Sequence, residues 1–110
     1  MSRVSRLNER NFDREVLESE VPVLVDFGAS WCLACKAVEP MLDELAWEYA
    51  GRIKIGRLNV DQNRKKALEY QIRGVPTFIL FRSSQLIAQR VGAQSKKQLE
   101  EMMLLAVGDI

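Results

Sequence analysis

The pattern of apolar and polar positions opens with a nearly continuous apolar run over residues 21–27, interrupted only by Pro22 and Asp26. Such a run is typical of a central strand that is covered on both faces, rather than of a strand with one face in water. From residue 33 to residue 49 the apolar residues instead recur every three or four positions, which predicts a helix. Pro40 lies inside this helix, and we expect it to bend the helix without ending it.

The second half of the chain continues this alternation and then changes to two consecutive strands. Residues 53–60 predict a strand, and residues 61–71 predict a short helix with basic side chains on its early turns. Two β-rich runs follow over residues 77–81 and 86–91, and the short stretch between them predicts an antiparallel hairpin.

A last helix is predicted from Ser95, with Gln98 as its capping-box partner and Gly108 just past its end. A strand-helix-strand unit followed by a strand-strand-helix unit implies a mixed sheet, parallel in its first half and antiparallel at one edge. Helices are expected on both faces of that sheet. The predicted fold class is therefore α/β.

The composition is that of one ordinary globular domain. At 110 residues the chain is long enough to bury a core without disulfides or metals, and no repeat, low-complexity tract or linker divides it. The 16 Lys and Arg residues nearly balance the 15 Asp and Glu residues, so no net field favours nucleic acid, a membrane surface or an acidic substrate. We predict a single domain over residues 1–110, monomeric by default, with no nucleic-acid or membrane partner.

The compartment is predicted from the N-terminal residues and from the use of cysteine. Residues 1–11 contain no apolar signal region, and no run of about 18 apolar residues occurs along the chain. A lone Cys-x-x-Cys pair in an otherwise self-sufficient domain is typical of redox chemistry in a reducing compartment. We therefore expect a cytoplasmic protein.

Cys32 and Cys35 are the candidate reactive groups, because they lie where the first inner strand gives way to the long helix. Unpaired amide hydrogens and the positive end of the helix dipole stabilise a thiolate at such a position, and the thiolate is the species that attacks a disulfide. Spacing of three residues in the first turn of a helix brings the second sulfur beside the first. We therefore predict that Cys32 is the nucleophile and that Cys35 resolves the mixed disulfide.

Two alternatives exist for this cysteine pair. Cys32 and Cys35 could be packed thiols without chemistry. They could also form half of a zinc or iron site, but such a site needs two further ligands, and the chain has no histidine and no third cysteine. Only an ion shared between two chains would supply them. We therefore predict no metal and no cofactor other than the redox-active disulfide.

Further motifs lie along the chain in a fixed order and spacing: Val25-Asp26-Phe27, Ala29, Trp31-Cys32, Cys35-Lys36, Pro40, Asn59-Val60-Asp61, Ile72-Arg73-Gly74-Val75-Pro76-Thr77 and Val91-Gly92-Ala93. Together they resemble the thioredoxin family over roughly residues 10–107, which is far more specific than a lone Cys-x-x-Cys pair. The resemblance implies the thioredoxin fold and a thiol-disulfide oxidoreductase that reduces protein disulfides. It also implies a thioredoxin reductase as the partner that restores the dithiol.

Two charged residues are candidates for supporting the cysteines. Asp26 interrupts an inner strand, where desolvation should raise the pKa of its carboxyl group, so that it can relay protons. By resemblance it lies beneath Cys35 and helps to deprotonate it; the alternative is a solvated carboxylate at a strand end.

Arg57 stands where the family usually carries a lysine, and it keeps the positive charge but cannot give up its proton. The alternative is a surface arginine whose stem packs on the strand.

The resemblance also assigns the residues that bind a substrate. It implies that the Val75-Pro76 bond is cis and that the Val75 backbone is offered to an extended substrate segment, whereas the residues alone would favour a trans proline that starts a strand. Trp31 is expected to flank the active site, and Gly92 and Ala93 are expected to line an apolar docking groove with Val75. Trp31 could equally be an ordinary half-buried aromatic residue.

The chain departs from the family at two places. Leu33-Ala34 replaces the usual Gly-Pro between the cysteines, so Ala34 is expected to add an amide donor toward the Cys32 sulfur, giving a more stable thiolate and a more oxidising couple. Gly28 stands where the family commonly has an aromatic residue, which implies an altered groove.

There are two alternative functions. One is a more oxidising disulfide oxidase or isomerase, and the other is a non-catalytic thioredoxin-fold adaptor.

Overall fold

Five strands form one mixed sheet in a computed structural model that describes residues 2–107. The elements are, in chain order, β1 (Ser5–Leu7), a π-helical turn (Asp13–Leu17), β2 (Val23–Gly28), α1 (Leu33–Glu48), β3 (Lys54–Asn59), α2 (Arg64–Glu69), β4 (Thr77–Arg82), β5 (Gln85–Val91) and α3 (Lys96–Val107). The strand order is β1-β3-β2-β4-β5, and β3 is parallel to both β1 and β2. Strand β4 runs antiparallel to β2, and β5 runs antiparallel to β4. This confirms the predicted α/β class and mixed sheet.

Two predicted elements begin more than one residue later than expected. The strand predicted over residues 21–27 begins at Val23, because Pro22 has no amide hydrogen; its carbonyl still accepts from Lys54 N at 2.9 Å. The helix predicted over residues 61–71 begins only at Arg64. Before it, Asn59 Oδ1 accepts from the amides of Asp61 and Gln62, at 2.9 and 3.1 Å, and holds those residues in a turn.

The sheet separates two apolar clusters. On one face, α1 and α3 cover side chains of the central strands; this cluster comprises Leu24, Val38, Leu42, Leu45, Ala46, Ile53, Ile55, Phe78, Leu80, Leu99, Met102, Met103 and Ala106. On the other face, residues from the N-terminal segment cover the sheet; this cluster comprises Leu7, Phe12, Val16, Val23, Val25, Phe27, Leu58, Ile79 and Phe81. Side chains along β2 point alternately to the two faces of the sheet, so Leu24 and Asp26 both lie on the face that α1 covers.

The last helix has the predicted capping box. Ser95 Oγ accepts from Gln98 N at 3.1 Å, and Gln98 Oε1 accepts from Ser95 N at 2.8 Å. The predicted end at Gly108 lies outside the described residues. Pro40 lies inside α1, and the helix continues past it to Glu48, as predicted.

Candidate active site

The two cysteines occupy the first turn of α1, directly after the loop that follows β2. Cys32 is the N-cap residue of α1, with an extended backbone at φ −92° and ψ 115°. Its Sγ accepts a hydrogen bond from Cys35 N at 3.1 Å, as an N-cap side chain does from the third residue of a helix. An amide donor is thus already aimed at the sulfur where negative charge develops when Cys32 acts as a thiolate.

The expected amide of Ala34 is not the donor to this sulfur. Within residues 2–107 no hydrogen bond joins Ala34 N to Cys32 Sγ, and Cys35 N makes the contact instead. The reason is the cap geometry, in which the N-cap side chain reaches one amide of the first turn. Replacement of proline by Ala34 therefore restores an amide hydrogen without adding a second donor to Cys32.

The two sulfurs differ in their exposure to solvent. Cys32 retains 7 % of its accessible surface, whereas Cys35 has none. Burial raises the pKa of the Cys35 thiol to about 12, and the neighbouring Cys32 sulfur adds to the rise. Cys35 is therefore a buried thiol that holds its proton, and Cys32 is the more exposed of the two sulfurs.

Asp26 is fully buried on the face of the sheet that α1 covers. Burial raises the pKa of its carboxyl group to about 6, although the Arg57 guanidinium opposes this rise. Its Oδ1 atom has no hydrogen-bond partner among the described residues. Asp26 is thus not a solvated carboxylate at a strand end, and one of its oxygens is free to accept a proton.

Gly28 shows how close Asp26 and Cys35 lie. A Cβ atom built on Gly28 would be 3.4 Å from Cys35 Sγ and 3.7 Å from Asp26 Oδ1. The thiol and the free carboxylate oxygen therefore border the same small volume at the end of β2.

Arg57 lies opposite Asp26 in the register of β3 and β2. Its Nε donates to Asp26 Oδ2 at 3.1 Å, and its Nη1 lies 2.9 Å from Glu39 Oε2. Arg57 is therefore a partly exposed arginine that pairs with a buried carboxylate and with an exposed one. Glu39 is a member of this group that the sequence analysis missed; its place one helical turn after Cys35 is a signal that could have found it.

The residues expected to bind substrate meet beside Cys32. The Val75-Pro76 bond is cis, and Val75 O lies 3.8 Å from Cys32 Sγ. Gly92 N donates to Pro76 O at 2.7 Å, and Gly92 adopts a φ of 93°, which favours glycine. Ala93 follows it and is exposed. The structure thus brings Val75, Pro76 and Gly92 together next to the reactive sulfur.

Trp31 is 69 % exposed, so it is not the half-buried aromatic residue that was the alternative. Its indole Nε1 donates to Asp61 Oδ2 at 2.9 Å, which links the active-site loop to the turn before α2. Two other exposed apolar residues adjoin site residues in the chain: Leu33 (81 % exposed) follows Cys32, and Val91 (63 %) precedes Gly92. The sequence analysis did not assign Asp61, Leu33 or Val91 to the site.

No group of three or more His, Cys, Asp or Glu side chains within residues 2–107 is arranged to hold a metal ion. Among the helices in the same range, none combines the length and the apolar character that are needed to cross a bilayer.

Comparison with known proteins agrees with this geometry. Residues 3–104 match the family model described as Thioredoxin. The chain is 45 % identical over 103 residues to a thioredoxin of Buchnera aphidicola from Schizaphis graminum, with 94 % of this chain and 95 % of that protein covered. A thioredoxin of Haemophilus influenzae is 43 % identical (90 % and 92 % covered), and "Thioredoxin 1" of a Nostoc species is 42 % identical (94 % and 96 %). The chain therefore belongs to the thioredoxin family, and it is a thiol-disulfide oxidoreductase that reduces protein disulfides.

Proposed function

We propose that Cys32 is the attacking sulfur and that Cys35 resolves the mixed disulfide with Asp26 as the base. The Cys32 thiolate attacks a substrate disulfide, forms a mixed disulfide and releases one substrate thiolate. Cys35 then gives its proton to Asp26 and attacks Cys32 Sγ, which breaks the bond to the substrate and forms the Cys32-Cys35 disulfide. The second substrate sulfur leaves as a thiolate and takes a proton from water.

One observation carries this assignment: Cys32 caps the helix with its sulfur toward an amide, while Cys35 is buried beside the free oxygen of Asp26. A buried thiol with a raised pKa cannot be the first nucleophile, but it can be the second when a carboxylate takes its proton. Arg57 supplies positive charge to that carboxylate and does not exchange its own proton.

The trapping experiment for these roles uses two single variants. Cys35→Ser should accumulate a mixed disulfide between Cys32 and a protein substrate, because the resolving sulfur is absent. Cys32→Ser should neither trap substrate nor reduce it. Trapping by Cys32→Ser but not by Cys35→Ser would reverse the two roles.

The substrate is proposed to bind as an extended segment across Trp31, Val75, Pro76, Gly92 and Ala93. This is supported by the position of Val75 O beside Cys32 and by the exposure of Trp31 and Ala93 around it. Such a segment would present its disulfide to Cys32 and its backbone to Val75. Leu33, which protrudes beside Cys32, would add an apolar contact on the other side of the disulfide.

The setting of the reaction is part of the same proposal. Residues 1–110 would form a single thioredoxin domain that acts as a cytoplasmic monomer, with disulfide-containing proteins as substrates and a thioredoxin reductase as electron donor. The Cys32-Cys35 disulfide would be its only redox group. No nucleic-acid or membrane partner is proposed, since the 16 basic and 15 acidic residues leave almost no net charge.

The Leu33-Ala34 pair is proposed to make the couple more oxidising than that of members with Gly-Pro. Both residues favour helix more than glycine and proline do, and this stabilises the first turn whose Cys35 amide donates to Cys32. An equilibrium titration in dithiothreitol and glutathione buffers, followed by alkylation, measures the potential. The double variant Leu33→Gly with Ala34→Pro should be more reducing than the wild type, and an unchanged potential would refute this part. Absence of any reversible disulfide would favour the adaptor function instead.

A further inference from the structure

Three charged side chains form a line from the core to the surface beside the resolving cysteine. Asp26 is fully buried, the Arg57 side chain is 31 % exposed, and the Glu39 side chain is 45 % exposed. Arg57 uses two different nitrogens for its two partners, Nε for Asp26 at 3.1 Å and Nη1 for Glu39 at 2.9 Å. One guanidinium is therefore shared between a buried carboxylate and an exposed one.

Within residues 2–107, few charged or titratable groups act on Asp26. Arg57 on β3 pairs with it directly, and Cys35 and Glu39 on α1 act on it through space. Its partner in the register of β4 is Phe78, and the buried face of α3 consists of Leu99, Met102, Met103 and Ala106, none of which titrates. Beyond burial, which acts most strongly, the opposite charges of Arg57 and Glu39 therefore adjust the protonation of Asp26.

The two charges act in opposite directions. The Arg57 guanidinium favours the ionised carboxylate, and taken alone it would hold the pKa of Asp26 below the value that burial sets. The negative charge of Glu39 raises the pKa of Asp26. Glu39 also pairs with Arg57 Nη1 at 2.9 Å, so the guanidinium does not serve Asp26 alone.

We propose that Glu39 is a positioning residue for the resolution step: by sharing the Arg57 guanidinium with Asp26, it keeps Asp26 a strong enough base to take the Cys35 proton near neutral pH. The inference rests on the proposed role of Asp26 as that base. Glu39 itself touches neither sulfur. It lines an open cavity of about 750 Å³ together with Arg57, Lys36 and Gly28, so it can be replaced without disturbing the core.

The test replaces Glu39 in the full chain and follows Asp26 directly. Glu39→Gln removes the charge and keeps an oxygen that can accept from Arg57 Nη1. The titration midpoint of the Asp26 carboxyl carbon, measured by NMR in the reduced protein, should fall by about half a unit or more. The acid limb of the resolution rate should move to lower pH by the same amount, and its plateau should drop because a weaker base takes the proton less readily.

Glu44→Gln is the matched control, because Glu44 is another carboxylate of α1 but pairs with Lys96 at 2.9 Å. It should leave both the midpoint and the pH profile unchanged. A Glu39→Gln variant with an unmoved or raised Asp26 midpoint would overturn the inference, even where the wild type reduces protein disulfides. An Asp26→Asn variant whose resolution rate and pH profile match those of the wild type would instead overturn the proposed role of Asp26 as the base.

Discussion

The indole of Trp31 is tied to Asp61 by a 2.9 Å hydrogen bond, although the ring itself is 69 % exposed. This bond fixes one wall of the proposed docking groove without burying it. The aromatic surface of Trp31 therefore remains exposed and available to a partner, while its indole N–H already has a hydrogen-bond acceptor. The carboxylate acceptor comes from the turn before α2, 30 residues later in the chain.

Asp61→Ala should weaken the binding of protein substrates and spare the chemistry. Loss of a hydrogen bond to a charged acceptor costs about 1 kcal/mol at an exposed site, so KM for a protein disulfide should rise about two- to five-fold. Steady-state kinetics with a protein disulfide and with a small aromatic disulfide separate the two effects. Only the protein substrate should respond, and Gln62→Ala is the control from the same turn. An equal change for both substrates would contradict a docking role.

The difference in burial between the cysteines predicts their order of modification. At about pH 8, iodoacetamide should alkylate the Cys35→Ser variant, which retains Cys32, at least about ten-fold faster than the Cys32→Ser variant. Cys35 is slow because it is fully buried and because its pKa is raised to about 12. Mass spectrometry of timed samples gives both rates. Similar rates would mean that Cys35 is accessible and that burial does not assign the two roles.

Local sequence signals predicted the inner strands, the helices and the cysteine pair. The apolar run before Cys32 and the helical periodicity after it place both sulfurs at a helix N-terminus, and that geometry depends only on near neighbours in the chain. The capping box of Ser95 and Gln98 is local in the same sense. Such local features are present in the folded protein because tertiary contacts stabilise the same conformations that the local sequence favours.

The contacts that sequence reasoning missed join residues far apart in the chain. Whether Glu39 reaches Arg57, or Asp61 reaches Trp31, depends on side-chain conformations at the end of a folded sheet. Strand β1 was missed for another reason: it has three residues, only Leu7 of them is buried, and it pairs with β3 about fifty positions later. A single buried residue gives no periodic pattern.

Gly56 provides a test of that missed strand. A Cβ atom on Gly56 would lie 2.6 Å from Leu7 Cδ1, so Gly56→Ala forces the buried Leu7 side chain to move. We expect a loss of about 1–3 kcal/mol in the free energy of unfolding, measured with urea. Gly74→Ala is the control, since its Cβ would meet Val91 Cγ1 at an ordinary 3.6 Å. If Gly56→Ala is as stable as Gly74→Ala, Leu7 does not pack on β3.

Asp26 links the stability of the protein to pH, because its pKa is about 6 when folded and near its ordinary value of 3.8 when unfolded. Between these values the folded protein holds a proton that the unfolded chain releases, so stability falls as pH rises through this window and stays lower above it. Asp26→Asn removes the effect. The free energy of unfolding of Asp26→Asn minus that of the wild type should therefore increase by up to about 3 kcal/mol between about pH 4 and pH 8. Urea unfolding at both pH values measures this. A difference that does not vary with pH would mean that the pKa of Asp26 is the same in the folded and the unfolded chain, so that burial does not make this carboxylate a stronger base.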